Sequence, residues 1–252
     1  MIVTLPDILP VHHLQWPRGM HRSIVRHAQA DSSDEQGPEA ISPLLWRIYR
    51  ARGISDAGEL ERELSSLIPP GQMSGLDAAV ALLADAMELG KRILIVGDFD
   101  ADGATSCALA VLALRAFGHK QVSFLVPDRF RYGYGLTPEI VEHARQLRPD
   151  LIVTVDNGIS SVSGVAAARA LGWQVLITDH HLAGPVLPQA EALVNPNLAG
   201  NEFPSKALAG VGVIFYVLLG LRARLKETGW FTQHGIAAVS YTHLTLPTTI
   251  PS

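Results

Sequence analysis

Three short segments concentrate the residue types able to do chemistry. GDFDADG (97–103) carries Asp98, Asp100 and Asp102, VDNG (155–158) carries Asp156, and TDHH (178–181) carries Asp179, His180 and His181. Each closes a short apolar, β-branched run, RILIVGD, LIVTVD or WQVLITD, of the kind that forms a strand buried on both faces. Placed in one parallel sheet, the three segments meet at its carboxyl edge, where open α/β sheets bind their ligands. Carboxylates gathered there repel one another and shift each other's pKa unless cations lie among them. Mixed aspartate and histidine ligation suits a divalent transition metal such as Mn²⁺, with Mg²⁺ as the alternative, and the donors are numerous enough for two ions.

Simpler readings fit less well. Asp102-Gly103 alone would be an ordinary turn. A calcium loop also begins D-x-D-x-D-G, but its twelfth position must be Glu; counted from Asp98 that position is Leu109. A phosphatase with an aspartate nucleophile would continue D-x-D-x-T/V, whereas after the two Asp pairs, beyond Ala101 and Gly103, the Thr/Val position is filled by Asp102 and Ala104 here.

The elements that must position these groups alternate along the chain. Residues 1–40 read as an irregular segment with a solvated loop at 31–39. Residues 41–90 read as a helical lead-in. Its first part, 41–67, breaks at GIS (53–55) with Ser55 as N-cap, and its second helix runs from about 76 to 89 and stops at Gly90. From 91 to 239 the pattern becomes strand (92–98), helix (104–118), strand (121–127), helix (137–147, with Thr137 as N-cap and Pro138 at its first position), strand (151–156), helix (160–172), strand (173–179) and a short strand at 191–196. That alternation predicts an α/β fold, a doubly wound parallel sheet with flanking helices. A last apolar helix spans 207–227. The tail SYTHLTLPTTIPS (240–252) has no helical or strand period and reads as non-native sequence.

Composition narrows the class. The chain has 252 residues, 48% hydrophobic and 17% charged, which excludes intrinsic disorder. Twenty basic against 24 acidic residues give a net charge of -4, so any nucleic-acid contact must come from a local patch. The single cysteine, Cys107, excludes a disulfide framework and fits a reducing cytoplasm. The longest apolar run, 207–221, lies between Lys206 and Arg222 and is too short to span a membrane; it reads as a core helix.

GDFDADGATS, VTVDNGIS and ITDHH resemble the first three motifs of the DHH phosphoesterase superfamily. PDRFRYGYGLTPEIV (127–141), LVNPN (193–197) and FPSKALAGVGVIFYVLLGLR (203–222) extend the resemblance to its RecJ branch of single-strand-specific 5′→3′ DNA exonucleases. IVRHAQ (24–29) resembles the amino terminus of that branch, which makes Met20 an alternative start. The resemblance implies a DHH phosphoesterase-type domain using two divalent ions, Mn²⁺ or Mg²⁺. It assigns Asp100 and Asp102 to one ion each, with Asp98 as a further ligand or beside the ligands. Asp156 would bridge the ions, His180 would be a ligand, and His181 would ligate or touch the scissile phosphate, with Asp179 orienting the site. Arg129 would contact a DNA phosphate, Tyr132 and Tyr134 would stack bases, and Ser205 and Lys206 would contact the backbone. Single-stranded DNA is the implied partner, alongside other repair and recombination proteins, for a monomeric cytoplasmic enzyme.

One departure stands out. The superfamily has a fourth aspartate motif after the long helix, and no Asp follows Asp179 here. The expectation is therefore a truncated chain whose metal site is incomplete, with the final helix packing partly on further domains of a longer parent. Two other readings share these motifs: a DHH phosphoesterase acting on short oligonucleotides, cyclic dinucleotides or pyrophosphate, and a non-catalytic relative.

Overall fold

The computed structural model describes residues 37–38, 41–61 and 64–237. The readings made for residues 1–36, including the start at Met20, and for the 240–252 tail lie outside them. The chain divides into two compact units, Met1–Leu67 and Ile68–Ser252.

In the first unit, helix α1 (Pro43–Ala51) starts where sequence allows, with Pro43 at the first position and Leu45 N donating to Ser42 Oγ at 3.3 Å. The next cap is Asp56 rather than the expected Ser55. The Asp56 carboxylate accepts from Gly58 N at 2.6 Å, while Ser55 donates its N–H and hydroxyl to Glu59 Oε1 at 2.8 and 3.0 Å. A carboxylate with Glu three residues on closes a capping box around the short turn Ala57–Leu60, and Ser55 is left outside it.

The second unit carries five parallel strands, β1 (Ile93–Gly97), β2 (Val122–Leu125), β3 (Leu151–Val155), β4 (Gln174–Thr178) and β5 (Ala192–Val194), in the order β2-β1-β3-β4-β5. Strand alternation sends Ile93 and Ile95 to one face and Leu94 and Val96 to the other. On the first face they meet α2 (Leu76–Glu88), α3 (Ala101–Ala116) and α7 (Gly210–Glu227); on the second they meet α5 (Pro138–Ala144) and α6 (Val162–Ala170). The sheet is doubly wound, as the alternation predicts. Two short helices, α4 (Arg129–Tyr132) and α8 (Trp230–Gln233), are additions that no periodicity announces.

Because β2 lies on one side of β1 and β3 to β5 on the other, the winding reverses between β1 and β3. Their carboxyl ends therefore flank the crevice of the sheet. Asp98 follows β1, Asp156 follows β3 and Asp179 follows β4.

Two helix starts bear on the site. Helix α3 begins at Ala101, three residues earlier than expected, because Asp100 caps it by accepting from Gly103 N at 2.9 Å. Asp102 and Gly103 thus lie in its first turn, and a Cβ on Gly103 would come within 2.6 Å of Asp98 N. Helix α7 begins at Gly210 rather than 207 and buries Val213, Val217 and Leu221 in the core. Among the described residues, no helix is long and apolar enough to cross a membrane.

Candidate metal centre

Asp156 adopts φ +60°, the left-handed region that non-glycine residues rarely occupy. Its N–H donates to Thr178 O at 3.1 Å, and Asn157 donates its side-chain amide to Val96 O at 3.1 Å and Val155 O at 2.9 Å. These bonds tie the ends of β1, β3 and β4 together and turn the Asp156 carboxyl inward, where the residue is 2% exposed. Gly210 lies against it: a Cβ there would fall 2.7 Å from Asp156 Cβ.

At the end of β4, Asp179 is fully buried and acts as a bracket. Its Oδ2 accepts from Ile159 N at 2.9 Å, and its Oδ1 accepts from His180 N at 2.7 Å, His181 N at 3.1 Å and His181 Nδ1 at 2.7 Å. With Nδ1 committed to a carboxylate, His181 keeps Nε2 for a ligand, the usual arrangement of a metal-binding histidine. His180 Nε2 lies 3.0 Å from Asp156 Oδ1 and 3.7 Å from Asp102 Oδ2. Asp156, His180 and His181 each offer a donor atom within 4.8 Å of the others.

Burial, then the charges of Asp102 and Asp100, push the Asp156 carboxyl from 3.8 up to about 7; His181 pulls the other way. For His181, burial opposes the charged form, but the Asp179 hydrogen bond and the surrounding carboxylates outweigh it and raise its pKa.

The three carboxylates after β1 separate in role. Asp98 accepts from Phe99 N at 2.8 Å and pairs with the Arg129 guanidinium. Asp100 caps α3. Asp102 faces the start of α7, where its Oδ2 accepts from Gly210 N and its Oδ1 from Val211 N, both at 2.7 Å. Of the six expected ligands, Asp156, His180 and His181 are brought together. Asp102 stands at their edge, Asp100 is engaged as the α3 cap while its charge acts on Asp156 and His181, and Asp98 is engaged by Phe99 N and Arg129.

The expected DNA contacts also divide. Arg129 lies beside the centre, its guanidinium carbon 4.4 Å from the Phe99 ring centre and 5.1 Å from that of Tyr134. The Tyr134 hydroxyl donates to Asp156 O at 3.3 Å and lies 3.2 Å from His181 Nδ1. Tyr132 instead packs on the core beside α5, stacked on His143 at 6.0 Å, so its ring is largely engaged. Lys206 Nζ donates to Pro196 O at 2.8 Å and Asn201 O at 2.7 Å, and Ser205 is half-buried nearby. Sequence reasoning missed Asn157, Gly210 and the exposed pair Phe99 and Phe130, whose rings lie 6.4 Å apart. Phe99 stands inside the GDFDADG motif, and that position was its one available signal.

The donor set fits a divalent ion. Asp156 Oδ1 is buried without a hydrogen bond, an orphaned acceptor facing imidazole nitrogen, and mixed O and N donors suit Mn²⁺. Fold and site together define a doubly wound α/β domain whose switch crevice gathers oxygen and nitrogen donors that fit a divalent metal. Residues 92–241 match the family model described as DHH family, N-terminal domain, and the chain belongs to that family.

The chain is 54% identical over 213 residues to the single-stranded-DNA-specific exonuclease RecJ of Salmonella typhimurium, covering 84% of this chain and 37% of that protein. It is 37% identical over 191 residues to the RecJ of Bacillus subtilis, covering 74% and 24%. The crystal structure of an exonuclease RecJ bound to manganese aligns with a TM-score of 0.58 at 36% identity, covering 63% of this chain and 40% of that one. The chain therefore spans little more than a third of the length of the Salmonella relative.

Proposed function

We propose that this chain supplies the metal centre of an exonuclease that hydrolyses single-stranded DNA from its 5′ end, in repair and recombination in the cytoplasm. The observation that carries the reading is the convergence of Asp156, His180 and His181 within 4.8 Å, in a chain 54% identical to a single-stranded-DNA-specific exonuclease. Asp156, His180 and His181 would hold the metal, with Asp102 completing the edge toward a second ion. When bound, divalent metal supplies Lewis-acid activation of water and of the phosphodiester. Mn²⁺ is the favoured ion and Mg²⁺ the alternative.

The chain's own residues set the remaining conditions. Asp179 fixes His181 with Nε2 outward. Asp102, held by two backbone amides, keeps negative charge at the rim. Arg129 is the cation placed to receive a phosphate of the strand, and Phe99 and Tyr134 flank its guanidinium with faces on which bases can stack. Tyr132, Ser205 and Lys206 lie further from the cluster and are proposed for the strand's outer path.

The test uses a full-length protein carrying this segment, with 5′-labelled single-stranded and duplex DNA and Mn²⁺. The expected result is release of 5′ mononucleotides from single strands only, with Asp156→Ala reducing the rate by roughly a thousandfold or more. Equal cleavage of duplex, preference for short oligonucleotides or cyclic dinucleotides, or an active Asp156→Ala protein would overturn the reading.

A further inference from the structure

The peptide of His180 and His181 lies outside regular secondary structure, yet side chains hold all four of its backbone polar groups. The two N–H groups donate to Asp179 Oδ1 at 2.7 and 3.1 Å. On the opposite side, Asn195 Nδ2 donates to His181 O at 2.9 Å, and Asn197 Nδ2 donates to His180 O. Asn195 is fully buried directly after β5, and its Oδ1 accepts from the Asn197 backbone N–H at 2.8 Å, so the Asn195 side chain is tied to the Asn197 main chain. Behind them Asn201 donates to Asn195 O at 2.8 Å and accepts from Phe203 N at 3.0 Å.

We propose that Asn195 and Asn197 are positioning residues of the metal centre, forming a carbonyl-side clamp that fixes the direction of both imidazoles. The proposal rests on the reading that His180 and His181 hold metal. Asp179 fixes where the peptide's N–H groups lie, but a single carboxylate on one edge leaves the peptide free to rock about it. Two amide donors on the other edge remove that freedom. The chemistry demands an amide: the partner is a carbonyl oxygen, which an aspartate of the same shape cannot serve and would repel. A loosened pair would still fold and still carry both histidines, but would present their nitrogens at the wrong distance for one ion.

The experiment measures Mn²⁺ binding by calorimetry and by electron paramagnetic resonance on a full-length protein carrying this segment. It compares wild type, Asn195→Asp, Asn197→Asp, Asn201→Ala and Asp156→Ala, each checked for folding by circular dichroism. The clamp predicts that Asn197→Asp weakens Mn²⁺ binding roughly 10–100-fold. The Mn²⁺ concentration for half-maximal DNA cleavage should rise by the same factor, while KM for DNA stays within about twofold. Asn201→Ala, which touches neither histidine carbonyl, should shift Mn²⁺ binding by less than about threefold. Because Asn195 is buried and its variant is at greater risk of unfolding, the half-buried Asn197 carries the decision. Unchanged Mn²⁺ affinity in folded Asn197→Asp protein, or an equal loss in Asn201→Ala, would refute the clamp while leaving the metal reading intact. A wild type that binds no Mn²⁺, or an Asp156→Ala protein that binds it equally well, would remove the metal reading and the clamp together.

Discussion

Asp156 combines three costs that rarely coincide: a left-handed backbone, near-complete burial and a carboxylate oxygen without a hydrogen bond. Its raised pKa has a definite consequence for stability. In metal-free protein the folded state retains a proton between the ordinary value of 3.8 and about 7 that the unfolded state has released. Its contribution to stability therefore falls as pH rises through that window and levels off above it. Asp156→Asn removes the ionisation, and is expected to stabilise the metal-free protein by about 1–3 kcal/mol at pH 8 with the difference vanishing near pH 4. Urea unfolding in the presence of a chelator measures this; parallel pH profiles for the two proteins would contradict it. At this scale the sequence was informative about residue type and less so about role. Asp156, His180 and His181 close strands, and strand ends have fixed places in a parallel sheet. Asp98, Asp100 and Asp102 are spaced within one helix start, where the choice of cap decides which carboxylate turns inward, and D-x-D-x-D-G does not encode that choice.

Helix α7 reaches the centre end-on rather than side-on. Its first amides hold Asp102, and its first residue has no side chain because Asp156 occupies the space. Gly210→Ala is accordingly expected to cost about 1–3 kcal/mol of stability and to weaken Mn²⁺ binding as the Asp156 carboxyl is pushed aside. Gly212→Ala is the control. Its added methyl would meet the Leu208 side chain, which can move, so Mn²⁺ binding should stay at the wild-type level. Calorimetry on both variants decides between a specific contact and a general intolerance of bulk. The strands and the long helices were legible at this scale from period and turn residues. The start of α7 was not, because Ala209 offers no capping side chain and the helix begins where a carboxylate from another element meets its N–H groups. Helix α4, four residues long, is too short to show any period, so the placement of Arg129 over Asp98 could come only from the fold.

For the whole molecule, a metal that binds only the folded state must stabilise it. Mn²⁺ at about a hundred times its dissociation constant should add about 2.7 kcal/mol, reversed by chelation and absent in Asp156→Ala. Thermal melts with and without chelator test this, and a metal-independent melting temperature in wild type would count against the centre. The doubly wound class was readable because every crossover here is a short, patterned helix or loop, whereas the order β2-β1-β3-β4-β5 came only from the fold. The mild net charge of -4 was readable too, and it locates no binding face, since the groups that matter are a handful converging from four segments. That convergence also sets a timetable. Asp102 and the Gly210 amide that holds it are 108 residues apart. At about 5–20 residues per second, a ribosome needs roughly 5–20 seconds to make the second after the first. During that interval β1, β3 and β4 can pair, yet the rim carboxylate has no amides to hold it. Asp102 is thereby held only once α7 has emerged, and a chain stalled before residue 210 carries all three motifs with that carboxylate still unheld.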